Sequence, residues 1–236
     1  MGTLISDLID ASDDFEVAVR IGSGDDLAAM RAADVVVDVT RLDVSQRVVD
    51  FAVAHGLNVL VGTSGWSADK IASLSARITG NLAVGVLIVP NFSVGSVLAT
   101  SFATQAARFY DSIEIIEAHH AGKVDSPSGT AVRTAERIGA VRAAVGPVST
   151  PHVDQRARGQ VVAGIPVHSL RMNGIVAKQD VIFGGAGEVL TLTHDTVSPA
   201  AYEKGIMLAL RALPQLRGVT VGLDSLLGVA PETPAE

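Results

Sequence analysis

Leu57-Asn-Val-Leu-Val-Gly-Thr-Ser-Gly-Trp66 joins a short apolar run to a polar loop bearing two glycines. A run of aliphatic and β-branched residues closed by turn residues reads as a strand buried on both faces, the kind found in parallel sheets. Ser67 then caps a helix predicted over residues 68–78. The same unit recurs on either side. Upstream lie an apolar run at 32–39 and a helix over 44–55, with Gly56 placed for a C-cap. Downstream, Ala83-Val-Gly-Val-Leu-Ile-Val89 is another buried strand. Strand, helix, strand, helix, strand with short connections predicts right-handed crossovers and a parallel sheet.

Ligands of such sheets bind at the carboxyl ends of the strands. The loops there are Thr40-Arg41, Gly62-Thr63-Ser64 and Pro90-Asn91-Phe92. Each loop taken alone also reads as an ordinary βα turn. Ahead of them, Leu4, Ile5, Leu8 and Ile9 fall at helical spacing, predicting a helix over 3–12. Phe15-Glu-Val-Ala-Val-Arg-Ile21 alternates as a strand. A dinucleotide-binding half of this kind opens with a strand and a G-x-G-x-x-G turn. Here the first strand and that turn are absent, and Gly2 reads as the last glycine of such a turn. At the end of the 15–21 strand stands Arg20 rather than an acid, which favours a 2′-phosphate and hence NADPH over NADH.

Composition narrows the class. The chain has 236 residues, 48% hydrophobic and 4% aromatic, the balance of a Val/Ala/Leu/Ile core in an α/β protein. A net charge of -7 with scattered Lys and Arg argues against nucleic acid as partner. The absence of cysteine excludes disulfides and thiolate metal sites. No signal-peptide pattern opens the sequence and no apolar run reaches membrane-spanning length, so a cytoplasmic protein is expected.

The second half is organised differently. A helix is predicted over 94–110 with Val97, Leu98, Phe102, Ala106 and Phe109 as its apolar face. A strand follows over 112–118, then a helix over 130–145 and an exposed loop over 146–164. Three strands at 165–171, 175–183 and 188–194 read as an antiparallel meander. Asn173-Gly174 and Gly184-Gly-Ala-Gly187 supply the turns. A helix over 202–213, a short mixed segment over 219–227 and a disordered tail from Pro231 close the chain. The domain boundary falls near Phe92-Ser93.

The densest chemistry lies in Glu117-Ala-His-His-Ala-Gly-Lys-Val-Asp-Ser-Pro-Ser-Gly-Thr-Ala131. Adjacent His119 and His120 at a strand end point to opposite faces. Their spacing to Lys123 is not that of a metal-binding helix, so no metal site is expected. Ser128 is placed to cap a helix whose Gly129 and Thr130 amides, with the helix dipole, suit a carboxylate or phosphate. Lys123 adds a point charge and a proton donor. These parts suit hydride transfer from a dinucleotide, with a proton supplied and a substrate carboxylate held.

This run resembles the H-H-x-x-K-x-D-x-P-S-G-T signature of the dihydrodipicolinate reductase family at every fixed position. Gly62-Thr-Ser-Gly65 is similar to the family's G-T-T-G cofactor loop, with Ser64 for the second Thr. Val89-Pro-Asn-Phe92 is similar to its A-P-N-F segment, and Val219-Thr-Val-Gly-Leu223 to its closing segment. The resemblance implies a Rossmann-like dinucleotide-binding domain over residues 1–93, with residues 203–236 packing back on it. Residues 94–202 would form an α+β domain for substrate and oligomerisation, with a mixed or antiparallel sheet. It implies reduction of 4-hydroxy-tetrahydrodipicolinate by NADPH or NADH in the diaminopimelate branch of lysine biosynthesis, a dicarboxylate substrate and a homotetramer. By carry-over, His119 and Lys123 are catalytic, and His120, Ser128, Gly129 and Thr130 hold substrate. Gly62, Thr63, Ser64, Val89, Pro90, Asn91 and Phe92 approach the cofactor. Three readings follow: an active reductase with an N-terminal segment missing here, a reductase-like binding or regulatory module that has lost dinucleotide binding, or a different NAD(P)H-dependent enzyme of the same architecture acting on another amino-acid-like substrate.

Overall fold

The computed structural model describes residues 1–78 and 83–229, so the expected tail from Pro231 lies outside the described residues. Its helices are α1 (Gly2–Asp10), α2 (Leu42–Ala54), α3 (Ala68–Ile78), α4 (Val94–Ala106), α5 (Gly129–Arg142) and α6 (Glu203–Ala212). Its strands are β1 (Val35–Asp38), β2 (Asn58–Val61), β3 (Gly85–Ile88), β4 (Ser112–His119), β5 (Gln160–Val162), β6 (Ile165–Arg171), β7 (Ala177–Gly185), β8 (Glu188–Thr196) and β9 (Gly218–Val221). The chain divides into two compact units, Met1–Ser93 with Tyr202–Gly228, and Val94–Ala201 with Val229.

In the first unit four parallel strands stand in the order β1-β2-β3-β9. The three apolar runs of the first half therefore form a parallel sheet, and the closing segment adds a fourth strand beside β3. Val59, Val61, Val86 and Ile88 are buried against Val48, Val49, Ala52, Leu74 and Ile78 from α2 and α3. At 25 cal/mol per Å² of apolar surface, fully burying one such side chain contributes about 1.5–3 kcal/mol. That is enough for a dozen of them to hold four short strands together.

The predicted strand over 15–21 does not form. These residues lie beside the sheet edge but belong to no ladder among the described residues. A groove of about 450 Å³, lined by Ile5, Val17, Val19, Val35 and Val37, separates them from β1. An alternating pattern predicts which faces a strand would present, but a strand exists only where a neighbouring backbone accepts its hydrogen bonds.

The second unit carries a mixed sheet in the order β5-β6-β4-β7-β8. The expected meander is corrected here: β6 and β7 do not pair. β4 lies between them, parallel to β6 and antiparallel to β7. Of the two predicted turns, Gly184–Gly187 makes a hairpin, joining β7 to β8 with Gly185 opposite Glu188, and Asn173-Gly174 does not. Within the predicted exposed loop, β5 pairs with β6.

The face of α4 is a second correction. Phe102 and Phe109 are exposed, whereas Ser96, Thr100, Ala103, Thr104 and Ala107 are buried. α4 packs closely on α5, and small residues permit that approach. Their hydroxyls are satisfied locally, Thr104 Oγ1 donating to the Thr100 carbonyl and Thr100 Oγ1 lying 3.0 Å from Thr134 Oγ1. A small-residue face is invisible to an apolar-periodicity reading.

Candidate active site

β4 alternates so that Ile113, Ile115 and Glu117 face inward, with His119 next on the same face as the strand ends. Glu117 is thus an acid at the end of an apolar row, with no solvent exposure. A buried carboxylate survives only when its lone pairs are filled. Oε2 accepts from His119 Nδ1 at 2.6 Å and from Arg171 Nη1 at 2.9 Å. Oε1 accepts from Arg171 Nη2 at 2.8 Å and from the Ser128 amide at 3.1 Å. Burial acts to raise the Glu117 pKa, but the hydrogen bonds from Arg171, Ser169, His119 and the Ser128 amide outweigh it and hold the carboxyl below its usual range.

His119 is pushed the other way. Burial lowers its pKa, and the nearby charges of Lys123 and Arg171 add to that. The bond to Glu117 opposes them without reversing the result. Its imidazole is therefore more often neutral near pH 7 than that of an exposed histidine. His120 is exposed at the strand end, its amide donating to the Val176 carbonyl. Lys123 pairs with Asp125 Oδ1 at 2.7 Å, which with its other hydrogen bonds holds the Asp125 carboxyl below its ordinary value against the opposing effect of burial.

Ser128 caps α5 as expected, its Oγ accepting from the Ala131 amide at 3.2 Å. The Gly129 and Thr130 amides occupy the first turn, where helix geometry leaves N–H groups pointing outward. The space beside Gly129 is open, since a Cβ there would meet nothing within 4 Å. His119, Glu117, Arg171 and the start of α5 thus form one connected cluster within the second unit.

The residues expected to approach the cofactor all belong to the first unit. Gly62 follows β2, its amide bonded to the Asp38 carbonyl. Phe92 is buried against it, so a Cβ at Gly62 would lie 2.7 Å from the ring. Val89 is buried too, and its amide donates to Val61. Pro90 and Ser64 are exposed, and Asn91 Oδ1 accepts from the Ser93 amide. Thr63 Oγ1 and Asp38 Oδ2, at the carboxyl ends of β2 and β1, are buried polar atoms with no protein partner among the described residues. A cavity of about 400 Å³ at the β1 end is lined by Ile21, Ser23, Thr40, Arg41 and Val44. Asp38 also lines that cavity, and an unpartnered carboxylate oxygen in a largely apolar cavity fits a hydroxyl-bearing ligand such as a dinucleotide. The Arg20 side chain reaches back to α1, its guanidinium 3.1 Å from Asp10 Oδ2. No group of acids and histidines suited to a metal ion occurs among the described residues.

Sequence reasoning quoted Glu117 without giving it a role and missed Arg171. Glu117 was legible: an acid two residues before a histidine on one strand shares its face. Arg171 carried no local signal, because the pairing of β4 with β6 across 54 residues brings it there.

A parallel α/β sheet with polar-ended loops in one unit, and a mixed sheet carrying a histidine–lysine loop in the other, define an oxidoreductase of the dinucleotide-dependent type. The chain belongs to the dihydrodipicolinate reductase family: models of that family's N-terminus and C-terminus match residues 1–92 and 95–227. A 4-hydroxy-tetrahydrodipicolinate reductase of Clavibacter sepedonicus is 67% identical over 227 residues, covering 96% of this chain and 82% of that protein. The like-named protein of Cutibacterium acnes is 40% identical, covering 97% and 95% respectively. The dipicolinate-bound dihydrodipicolinate reductase of Paenisporosarcina sp. TG-14 superposes with a TM-score of 0.78 at 26% identity, covering 95% of this chain and 94% of that one. The alternative of a reductase-like binding module finds no support among these relatives.

Proposed function

We propose that His119 and Lys123 handle the proton in the NAD(P)H-dependent reduction of 4-hydroxy-tetrahydrodipicolinate to tetrahydrodipicolinate, the lysine-biosynthetic step of this family. When bound, the reduced nicotinamide supplies the hydride. Thr63 and the loop residues Gly62, Ser64, Pro90 and Asn91 hold the cofactor on the first unit, with Val89 and Phe92 packed beneath them. Arg20 meets a 2′-phosphate by exchanging its Asp10 partner. On the second unit the Gly129 and Thr130 amides, capped by Ser128, hold one substrate carboxylate, and His120 contacts the substrate from the exposed side of the strand end. Lys123 is the proton donor, paired with Asp125 on the loop, and His119 exchanges a proton through Nε2.

The observation that carries this reading is the placement of His119. It stands on a buried carboxylate that also binds the amide of the residue capping α5, so proton carrier and carboxylate cradle share one support. Oxidation of NADPH and NADH followed at 340 nm, with 4-hydroxy-tetrahydrodipicolinate generated enzymatically, tests it. Turnover with a lower KM for NADPH is expected. No turnover with either cofactor overturns the assignment, and a clear NADH preference removes the role of Arg20.

A homotetramer assembled through the second unit's sheet is part of the same reading. It is supported by the apolar side chains that sheet leaves exposed, Val161, Leu170 and Val189. Light scattering on the purified chain reads the mass directly, and a monomer would end the idea. A cytoplasmic setting fits the biosynthetic step, and no described helix is long and apolar enough to cross a membrane.

A further inference from the structure

We infer that Glu117 and Arg171 are positioning residues: Glu117 holds His119 in the Nδ1–H tautomer with Nε2 directed to substrate, and Arg171 ties that imidazole to the loop leading into α5. The inference rests on the proton role of His119 proposed above and deepens it.

The argument starts from hydrogen-bond inventory. An ionised carboxylate accepts and never donates. Glu117 is ionised, because Arg171 reaches it through two parallel N–H bonds and the Ser128 amide adds a third donor. The 2.6 Å contact with His119 Nδ1 can therefore exist only if that nitrogen carries the proton. The neutral ring then presents Nε2 as an acceptor, and the protonated ring presents it as a donor. A ring free to choose its tautomer would spend part of its time with Nε2 already protonated and unable to accept.

Arg171 does more than neutralise Glu117. Its Nη2 also donates to the Asp125 carbonyl at 2.6 Å, and Asp125 in turn holds the Lys123 ammonium. Asp125 lies three residues before the α5 cap. One guanidinium thus spans the end of β4, the loop carrying Lys123 and the approach to α5, starting from the last residue of β6. Lysine cannot reproduce this, since its single nitrogen cannot grip both carboxylate oxygens and a carbonyl in a fixed plane. The charged groups facing His119 are Glu117 from its own strand, Arg171 from β6, and Lys123 from the loop.

Side-chain ¹⁵N NMR of the whole chain tests the tautomer without needing turnover, with His119→Gln identifying the His119 signal. The expected result is Nδ1–H for His119 in the parent chain and mixed tautomers in Glu117→Gln. An Nε2–H signal in the parent, or an unchanged signal in folded Glu117→Gln, overturns the inference. The kinetic arm reads the same residue differently. Glu117→Gln is expected to lower kcat on the order of 10²-fold and to move the pH midpoint attributable to His119 downward, because the charge favouring its protonated form is gone. An unmoved midpoint in a folded variant counts against positioning. Should Glu117→Gln fail to fold, Arg171→Lys keeps the charge and removes the fork, and a fall in kcat is expected in the folded variant at a temperature below its own melting transition. Parental kcat in Arg171→Lys overturns the tie. If the parent itself shows no reductase activity, the proton role falls while the tautomer result stands on its own.

Discussion

The Phe92 ring rests on the backbone of Gly62 so closely that a methyl group at Gly62 would lie 2.7 Å from its Cε2. Gly62 opens the loop after β2, and Phe92 is buried beneath it. Gly62→Ala must displace either the ring or the loop. Overpacking of this kind costs about 1–3 kcal/mol. Urea unfolding is expected to show that loss, and fluorescence titration a weaker affinity for NADPH. Unchanged affinity in a folded variant would remove this loop from the cofactor site.

α6 is held against the same segment from the other side. A Cβ at Gly205 would stand 1.8 Å from the Phe92 carbonyl oxygen, a backbone atom with little freedom to move. Gly205→Ala is expected to cost about 3 kcal/mol or more. The shift in urea midpoint measures it, and a change below 1 kcal/mol, the ordinary surface range, would contradict the packing.

For the proposed proton groups, His119→Gln and Lys123→Ala should each lower kcat by about 10²–10⁴-fold. Lys123 loses only a partly exposed ion pair with Asp125, so its melting temperature should stay close to that of the parent. Near-parental turnover in both variants would remove them from the reaction.

Removing the α5 cap is a milder change. Ser128→Ala deletes the acceptor for the Ala131 amide and should cost about 1 kcal/mol. A cap that also orders the Gly129 and Thr130 amides should raise KM for the dicarboxylate more than it lowers kcat. The reverse split would place Ser128 outside substrate binding.

The pH dependence of stability has a definite sign. Burial keeps the folded-state pKa of His119 below its unfolded value, and the same holds for His194. The unfolded chain therefore binds more protons as pH falls. Stability from these groups is full above about pH 6.5 and declines below it, through their lowered folded-state values. Glu117, also lowered, adds a further loss at more acid pH. Urea midpoints measured between pH 8 and pH 5 should fall, and the fall should be smaller in His119→Gln. An equal fall in that variant would assign the effect elsewhere.

Much of this was legible in the residues alone. β2 and β3 were readable because strands buried on both faces need continuous apolar runs, and α5 because Ser128 marks its start. The histidine–lysine loop was readable as a unit because its chemistry is local. Where the outcome depended on a distant neighbour, the linear pattern failed. Residues 15–21 alternate like a strand but pair with no other strand among the described residues. The strands β6 and β7 are separated by Asn173-Gly174 yet flank β4. α4 buries threonines and alanines because α5 comes close, and it leaves Phe102 exposed.

The sequence by itself determined the residues able to carry protons and hold a carboxylate, since side-chain chemistry and helix capping act over a few positions. Only the tertiary structure decided what those residues are tied to. Pairing β4 with β6 carries Arg171 across 54 residues to Glu117, and through Glu117 to His119. A buried carboxylate must find its donors wherever the fold brings them, and the periodicity of a chain does not encode that meeting.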